Sequence, residues 1–243
     1  MFKIGLILLS ITSYAFAQLP IGDVTRLNIF YNEPSGRATA GVFEFGEFKL
    51  PENSVFSVEK QAGVFMLETP DQHIAISGLP ESITSLSSLE VENLNLSTKE
   101  EKMSFSLQRL TGSSSESKLK LREFSITCNA KRIKNDSPQQ VLDACINEDG
   151  KAKIQLLKID GETVLSSTSI SINQNQLKFR IKSGGFNVKG NGKAFYQDQI
   201  IRIKVEKAKV GALNVKRRLF KKLREIESDR VTLNNPWIEI DLK

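Results

Sequence analysis

The sequence has little of what enzyme active sites are usually built from. His73 is the only histidine, which excludes a histidine pair and a histidine-based zinc site. No serine stands in a Gly-x-Ser-x-Gly motif, the turn that presents a catalytic nucleophile in many hydrolases. The carboxylates are scattered, and the cluster at residues 225–229 falls at a predicted helix end, where solvation explains it. We therefore predict that the protein is not an enzyme and needs no metal or other cofactor.

Long apolar runs are also missing beyond the N-terminus. Ile4–Ile11 is apolar, Lys3 precedes it, and Ala15–Ala17 has the Ala-x-Ala form of a cleavage site, which is the order of a secretory signal peptide. The run is too short to cross a bilayer, which takes about 20 apolar residues. We expect residues 1–17 to be a signal peptide. The mature chain 18–243 is then exported, to the periplasm or to the extracellular space, and is soluble or peripherally attached.

Cysteine is scarce, with only Cys128 and Cys145 in the chain. An even number of cysteines in an exported protein predicts a disulfide. The bridge would close a loop of about 17 residues and stabilise the fold by about 3 kcal/mol. The alternative is a metal held by the two thiols, but without a nearby histidine they make a weak zinc site.

Alternation of apolar and polar residues is the pattern that the sequence has in abundance. Met103–Leu107 and Leu177–Ile181 are examples, and such strands are typical of antiparallel sheets with one wet face. Short turn segments, among them Thr111–Ser117 and Gly190–Gly192, predict hairpins. We predict a mainly β fold that forms one elongated domain over residues 18–243. Alternatively, two β-rich halves are divided near residues 131–150.

The alternation slips by one residue in several strands. Leu89-x-Val91 is followed by Leu94-x-Leu96, and Leu119-x-Leu121 by Phe124-x-Ile126. Ile203-x-Val205 precedes Ala208-x-Val210 in the same way, and Ile154-x-Leu156 before Ile159 is a shorter version. A β-bulge produces such a slip, and several bulges curve a sheet. We therefore predict a curved antiparallel sheet with bulged strands.

Two helices are predicted. The first begins at Ser137, a good N-cap followed by proline, and runs to Cys145. The second covers Val215–Ser228 and packs against the sheet through an apolar stripe that includes Leu219 and Leu223. Its opposite face carries the cations Lys216, Arg217, Arg218, Lys221, Lys222 and Arg224. This face either meets water or contacts an anionic membrane surface, and docking of the stripe leaves both open.

The C-terminal third resembles a known family. The residues that carry the resemblance are Phe186-x-Val188-x-Gly190-x-Gly192, then Ile201-x-Ile203-x-Val205-x-x-Ala208-x-Val210-Gly211-Ala212-Leu213, a helix and a last strand over Val231–Leu242. This order is similar to that of the LmeA-like phospholipid-binding proteins of the bacterial envelope. The resemblance implies an exported protein without cofactors, in which a curved antiparallel sheet wraps a helix and binds acyl chains. A β-trough of the lipopolysaccharide-bridge or AsmA-like kind would suit the slipped strands as well.

These observations predict an envelope protein that binds lipid. A long sheet with one apolar face must be covered by helices, by a second sheet or by a ligand, and two helices cover little. The residues expected to line the lipid groove are Leu177, Phe179, Ile181, Phe186, Val188, Ile201, Ile203 and Val205. The alternative is a structural or protein-interaction module, a β-sandwich whose two sheets cover each other and whose surface docks an envelope protein. The net charge of +6 suits an anionic surface or simple solubility, and an exported protein has little use for nucleic acid.

Overall fold

A computed structural model describes residues 22–45, 48–61, 64–69, 73–76, 85–98, 102–129, 142–183, 186–224, 227 and 230–242 of the chain. The predicted signal peptide and the start of the first predicted helix lie outside these residues. Within them, no helix has both the length and the hydropathy that a membrane span requires.

Antiparallel β-strands make up most of the described chain, so the predicted mainly β fold is confirmed. The strands are β1 (Gly22–Asn32), β2 (Ser35–Ala40), β3 (Val42–Phe45), β4 (Phe48–Leu50), β5 (Ser54–Gln61), β6 (Val64–Glu68), β7 (His73–Ile76), β8 (Ser88–Ser97), β9 (Lys102–Ser113), β10 (Lys118–Asn129), β11 (Asp149–Ile159), β12 (Glu162–Asn173), β13 (Gln176–Ser183), β14 (Phe186–Gln197), β15 (Ile200–Val210), β16 (Leu213–Asn214), β17 (Val231–Asn234) and β18 (Trp237–Asp241). Two helical elements interrupt them: a π-helical turn at Ala144–Glu148 and the α-helix α1 at Lys216–Leu223.

All eighteen strands belong to one sheet. Its main order is β7-β6-β5-β2-β1-β8-β9-β10-β11-β12-β13-β14-β15-β18-β17, with the β3–β4 hairpin paired to β1 and β16 paired to β15. From β8 to β15 each strand pairs with the next strand of the chain, mostly through the short connections predicted, while the connection between β10 and β11 covers residues 130–148. Because β10 pairs directly with β11, the sheet runs on without a break past the suggested division near residues 131–150.

One face of this sheet is apolar along its whole width, because apolar residues of neighbouring strands are in register. Leu107, Phe124 and Ile154 lie side by side on β9, β10 and β11. The core formed by this face is continuous from β1 to β18.

The slips in alternation have two geometries: some are the predicted bulges, and at others neighbouring strands slip together. Pairing of Glu92 with Arg109 and of Leu94 with Leu107 shows that β8 and β9 keep a constant register across the slip. The same holds from β9 to β12, so these strands slip together. Across this slip the strands β8–β12 therefore stay in step, because each has its extra residue at the same place. The result is a transverse line, here called the crease, at Asn93, Gln108, Glu123, Gln155 and Ser167. Bulges of the predicted kind occur instead where β8 pairs with β1, further along the β11–β12 pair, and where β12 pairs with β13.

Backbone geometry marks the crease on every second strand. Asn93, Glu123 and Ser167 have φ values of 49°, 47° and 47°, in the left-handed region. On β11 the alternation slips between Ile154 and Leu157, two residues before the predicted place, since Leu157, at 2% exposure, faces the core; the register with β12 also shifts between Leu157 and Lys158. A true bulge does occur where it was predicted near Val205, because the register between β14 and β15 shifts at Gly192.

The predicted hairpin at Gly190–Gly192 is wrong, because both glycines lie inside β14. A Cβ atom on Gly190 would overlap the ring of Phe179 on β13, and one on Gly192 would overlap the Lys204 carbonyl on β15. The glycines therefore serve close packing between strands, the other common reason for glycine within a strand.

The N-terminal edge of the sheet curls over its own apolar face. Tyr31 on β1 and Phe65 on β6 make an edge-to-face contact with ring centroids 5.2 Å apart. Three strand spacings separate β1 from β6 in the sheet, about 14 Å if the sheet were flat. The amine of Lys60 on β5 donates a 3.0 Å hydrogen bond to the carbonyl of Leu86, which fixes the curled edge. Together with the crease, this edge gives the predicted curvature.

Candidate functional site

The predicted disulfide between Cys128 and Cys145 is confirmed, with Cα atoms 4.7 Å apart. It attaches the π-helical turn to β10 and places Ile146 in the core. The side chain of Asn147 completes the attachment: its oxygen accepts a 2.9 Å hydrogen bond from the Tyr196 amide, and its nitrogen donates one to the Tyr196 carbonyl. The turn thus lies against the apolar face at one end of the strands.

The predicted groove residues share this face but differ in exposure. Leu177, Phe179, Ile201 and Val205 are buried, between 2% and 9% exposed. Ile181, Val188 and Ile203 are partly buried against the core. Phe186 is 68% exposed at the first residue of β14, outside the core. The structure therefore brings most of the set together on one face, with part of it already filled by its own packing.

Partly exposed apolar residues of β11–β14 lie on this face. We call them the apolar strip: Ile154, Ile170, Ile172, Ile181 and Val188. Thr168 interrupts the apolar residues of β12 between Leu165 and Ile170 and pairs with Ile154. Thr168 is 6% exposed, and its hydroxyl has no hydrogen-bond partner among the described residues. A buried hydroxyl without a partner is costly, and a bound molecule with a polar atom could satisfy it.

The sheet has two open grooves. The first, about 620 Å³, follows the crease, and its lining combines amides such as Asn93 and Gln155 with Ile154 and Thr168. The second, about 500 Å³, has a lining that includes Phe30, Lys118, Lys120 and Lys158. Neither groove contains a residue of the predicted lipid groove.

The crease groove is shaped by a hydrogen-bonded group of asparagines. The Asn95 side chain accepts a 2.9 Å hydrogen bond from the Arg26 amide, and the Asn28 side chain accepts one of equal length from the Asn93 amide. These side chains replace the backbone pairing that the crease interrupts. The signal for them in the sequence is the pair Asn93 and Asn95 at the β8 slip, which alternation alone does not interpret.

The polar face of β11–β15 is strongly basic. Arg180 lies opposite Lys189, and Lys189 opposite Lys209. Other cations on this side include Lys151, Lys153, Lys178, Lys193, Lys204 and Lys207. Directly opposed like charges destabilise a sheet, so fold stability does not account for them. The sequence analysis missed this surface because it sought cations on the helix, although lysine at alternating positions of these strands was the available signal.

The helix α1 docks on the sheet as predicted but is shorter and uses a further residue. Phe220, absent from the predicted stripe, is its buried anchor at 5% exposure, with Val215 and Leu219 beside it. The helix ends at Leu223, and residues 225, 226, 228 and 229 lie outside the described residues. Arg217, Arg218, Lys221 and Arg224 are exposed, Lys216 is half-buried, and the side chain of Lys222 lies outside the description.

Titratable groups give the described part of the chain little unusual chemistry. His73 is exposed, with its Nδ1 atom 3.2 Å from the Glu68 carboxylate. Burial raises the pKa of Tyr31 above its usual value, with Glu33 adding to the effect, and burial likewise raises the pKa of Tyr196, to which Asp143 contributes. Among the described residues, no three potential metal ligands come together.

No protein family model matches this chain, and comparisons with curated proteins and with solved structures gave no significant match either. The resemblance of the C-terminal third to the LmeA-like proteins therefore stays a prediction.

Proposed function

We propose that this is an exported, non-enzymatic lipid-binding protein of the cell envelope. The observation that carries the proposal is the apolar strip, whose residues pack against the core yet keep part of their surface accessible. The disulfide is compatible with an oxidising compartment outside the cytoplasm. Acyl chains would lie along the strip, between the π-helical turn and α1.

The strip has suitable dimensions and chemistry. It crosses four strands, from β11 to β14, which spans about 14 Å at the usual strand spacing. This length is comparable with an extended acyl chain, and each buried methylene would contribute about 0.8 kcal/mol. In the proposed complex, an ester oxygen of the lipid would accept a hydrogen bond from the Thr168 hydroxyl, which has no partner among the described residues. The proposal thus gives the partly open apolar surface and the unpartnered hydroxyl one common explanation.

Lipid extraction tests this function. The mature protein is purified without detergent, extracted with organic solvent and analysed by mass spectrometry, before and after incubation with phospholipid vesicles. We expect wild-type protein to carry lipid. We expect the variant Ile170→Ser with Ile181→Ser to carry severalfold less. The matched control is Leu156→Ser on β11, whose half-buried side chain lies outside the strip. Lipid-free wild-type protein that also takes up none from vesicles would rule the proposal out.

The second candidate is a structural or protein-interaction module. The burial of Leu177, Phe179 and Val205 favours it, because a face filled by its own side chains needs no ligand. A protein that unfolds cooperatively, is purified without lipid and takes up none from vesicles would support this candidate.

A further inference from the structure

Two hairpins present large apolar side chains at the same end of the sheet. Phe186, at the start of β14, is 68% exposed, and Leu213, in the β15–β16 hairpin, is 70% exposed. These are the two highest exposures among the large hydrophobic residues of the described chain. Because Lys189 pairs with Lys209 and Val210 with Leu213, both side chains lie beyond the last paired row of β14 and β15.

Cations surround these two residues. Lys182 and Lys209 are exposed near the ends of β13 and β15, and Arg217 and Arg218 are exposed in the first turn of α1, which follows Leu213 closely. Among the described residues, none of these four cations forms an ion pair. We call the six residues the docking edge: Lys182, Phe186, Lys209, Leu213, Arg217 and Arg218.

The cations of the docking edge are poorly placed for the stability of the protein alone. Lys209 faces the like charge of Lys189 across the strand pair. Arg217 and Arg218 occupy the N-terminal turn of a helix with no acidic residue there, where the helix dipole disfavours positive charge. An anionic surface placed against this end would relieve both unfavourable arrangements.

We propose that the docking edge binds an anionic bilayer, with Phe186 and Leu213 entering the interface and the four cations contacting lipid phosphates. The charge complementarity alone would also suit a soluble polyanion. The exposed apolar pair favours a bilayer, because a soluble polyanion offers no apolar phase for these side chains. This contact uses the end of the sheet beyond the apolar strip, so it goes beyond lipid carriage and does not depend on it.

Vesicle co-sedimentation of the mature chain tests the proposal. We expect binding to vesicles containing phosphatidylglycerol, little binding to phosphatidylcholine alone, and weakening as salt rises. Arg217→Gln with Arg218→Gln should lower the partition coefficient by about 30-fold, since each cation near the surface contributes about 1 kcal/mol. Phe186→Ser with Leu213→Ser should lower it by tenfold or more. All the substituted side chains are exposed, so thermal unfolding should change little.

The matched controls lie elsewhere on the sheet. Phe30→Ser removes a side chain of similar exposure on β1, and Lys118→Gln with Lys120→Gln removes two cations on β10. Both should leave vesicle binding unchanged. Equal binding to neutral vesicles, or no effect of the docking-edge variants, would overturn the proposal. So would capture by a soluble anionic polysaccharide that Phe186→Ser with Leu213→Ser leaves intact. Lipid extraction is read separately, so failure of carriage and failure of docking are distinguishable.

Discussion

Removing the disulfide gives the sharpest test of how the apolar face is held. The bridge joins residues 17 positions apart. In the chain-entropy description, its loss releases about 3 kcal/mol of restriction on the unfolded chain. Replacing Cys128 and Cys145 by alanine is preferable to serine, because Cys128 is 4% exposed and serine would bury a hydroxyl there. We expect the free energy of unfolding to fall by about 3 kcal/mol.

The measurement is guanidinium unfolding of oxidised wild type, reduced wild type and the double alanine variant at pH 7. The reduced protein and the variant should agree within error, and both should unfold at lower denaturant than the oxidised protein. Hydrogen exchange adds a local readout, with amides of the π-helical turn losing protection before those of β10. A variant whose unfolding coincides with that of the oxidised protein would refute the reasoning.

Three further substitutions test the packing and the crease. The pKa of Tyr31 is raised in the folded protein, so its contribution to the free energy of unfolding is complete below about pH 10 and is lost as the pH rises through the folded pKa. Tyr31→Phe should therefore flatten the fall of stability above about pH 10 in thermal unfolding. Gly190→Ala should destabilise by about 1–3 kcal/mol in denaturant unfolding, because its methyl group overlaps the Phe179 ring, and an unchanged midpoint would contradict the packing argument. Asn95→Ala leaves the Arg26 amide without its acceptor and should cost about 1 kcal/mol in the same assay, with faster exchange of that amide as the specific sign.

The parts of the fold that could be predicted from the sequence are those with a local cause. Alternation such as that of Leu177–Ile181 depends only on one strand having a solvent-exposed face and a buried face, and the structure confirms the predicted strand. The disulfide followed from there being only two cysteines. The predicted docking of α1 rested on its own periodicity, although the short helix turned Phe220 inward as the main anchor.

The parts that escaped prediction depend on neighbouring strands. A slip at Asn93 looks the same in the sequence whether β9 slips with it or not, so a bulge and a crease cannot be told apart from one strand. Gly190 was misinterpreted for a similar reason, because the ring of Phe179 that requires it belongs to another strand. The rows of opposed lysines likewise arise only when β13, β14 and β15 are paired.

The meander from β8 to β15 has a consequence for how the chain acquires its structure. Each of these strands pairs with its sequence neighbour, so their contacts close short loops, apart from residues 130–148 between β10 and β11, and carry a small entropic cost. β1 instead pairs with β8 across a long separation, as in Asp23 with Ser97. The meander should therefore form as a fast local block, and β1 should join it late. In pulse-labelling during refolding, amides of β10–β14 should gain protection ahead of those of β1.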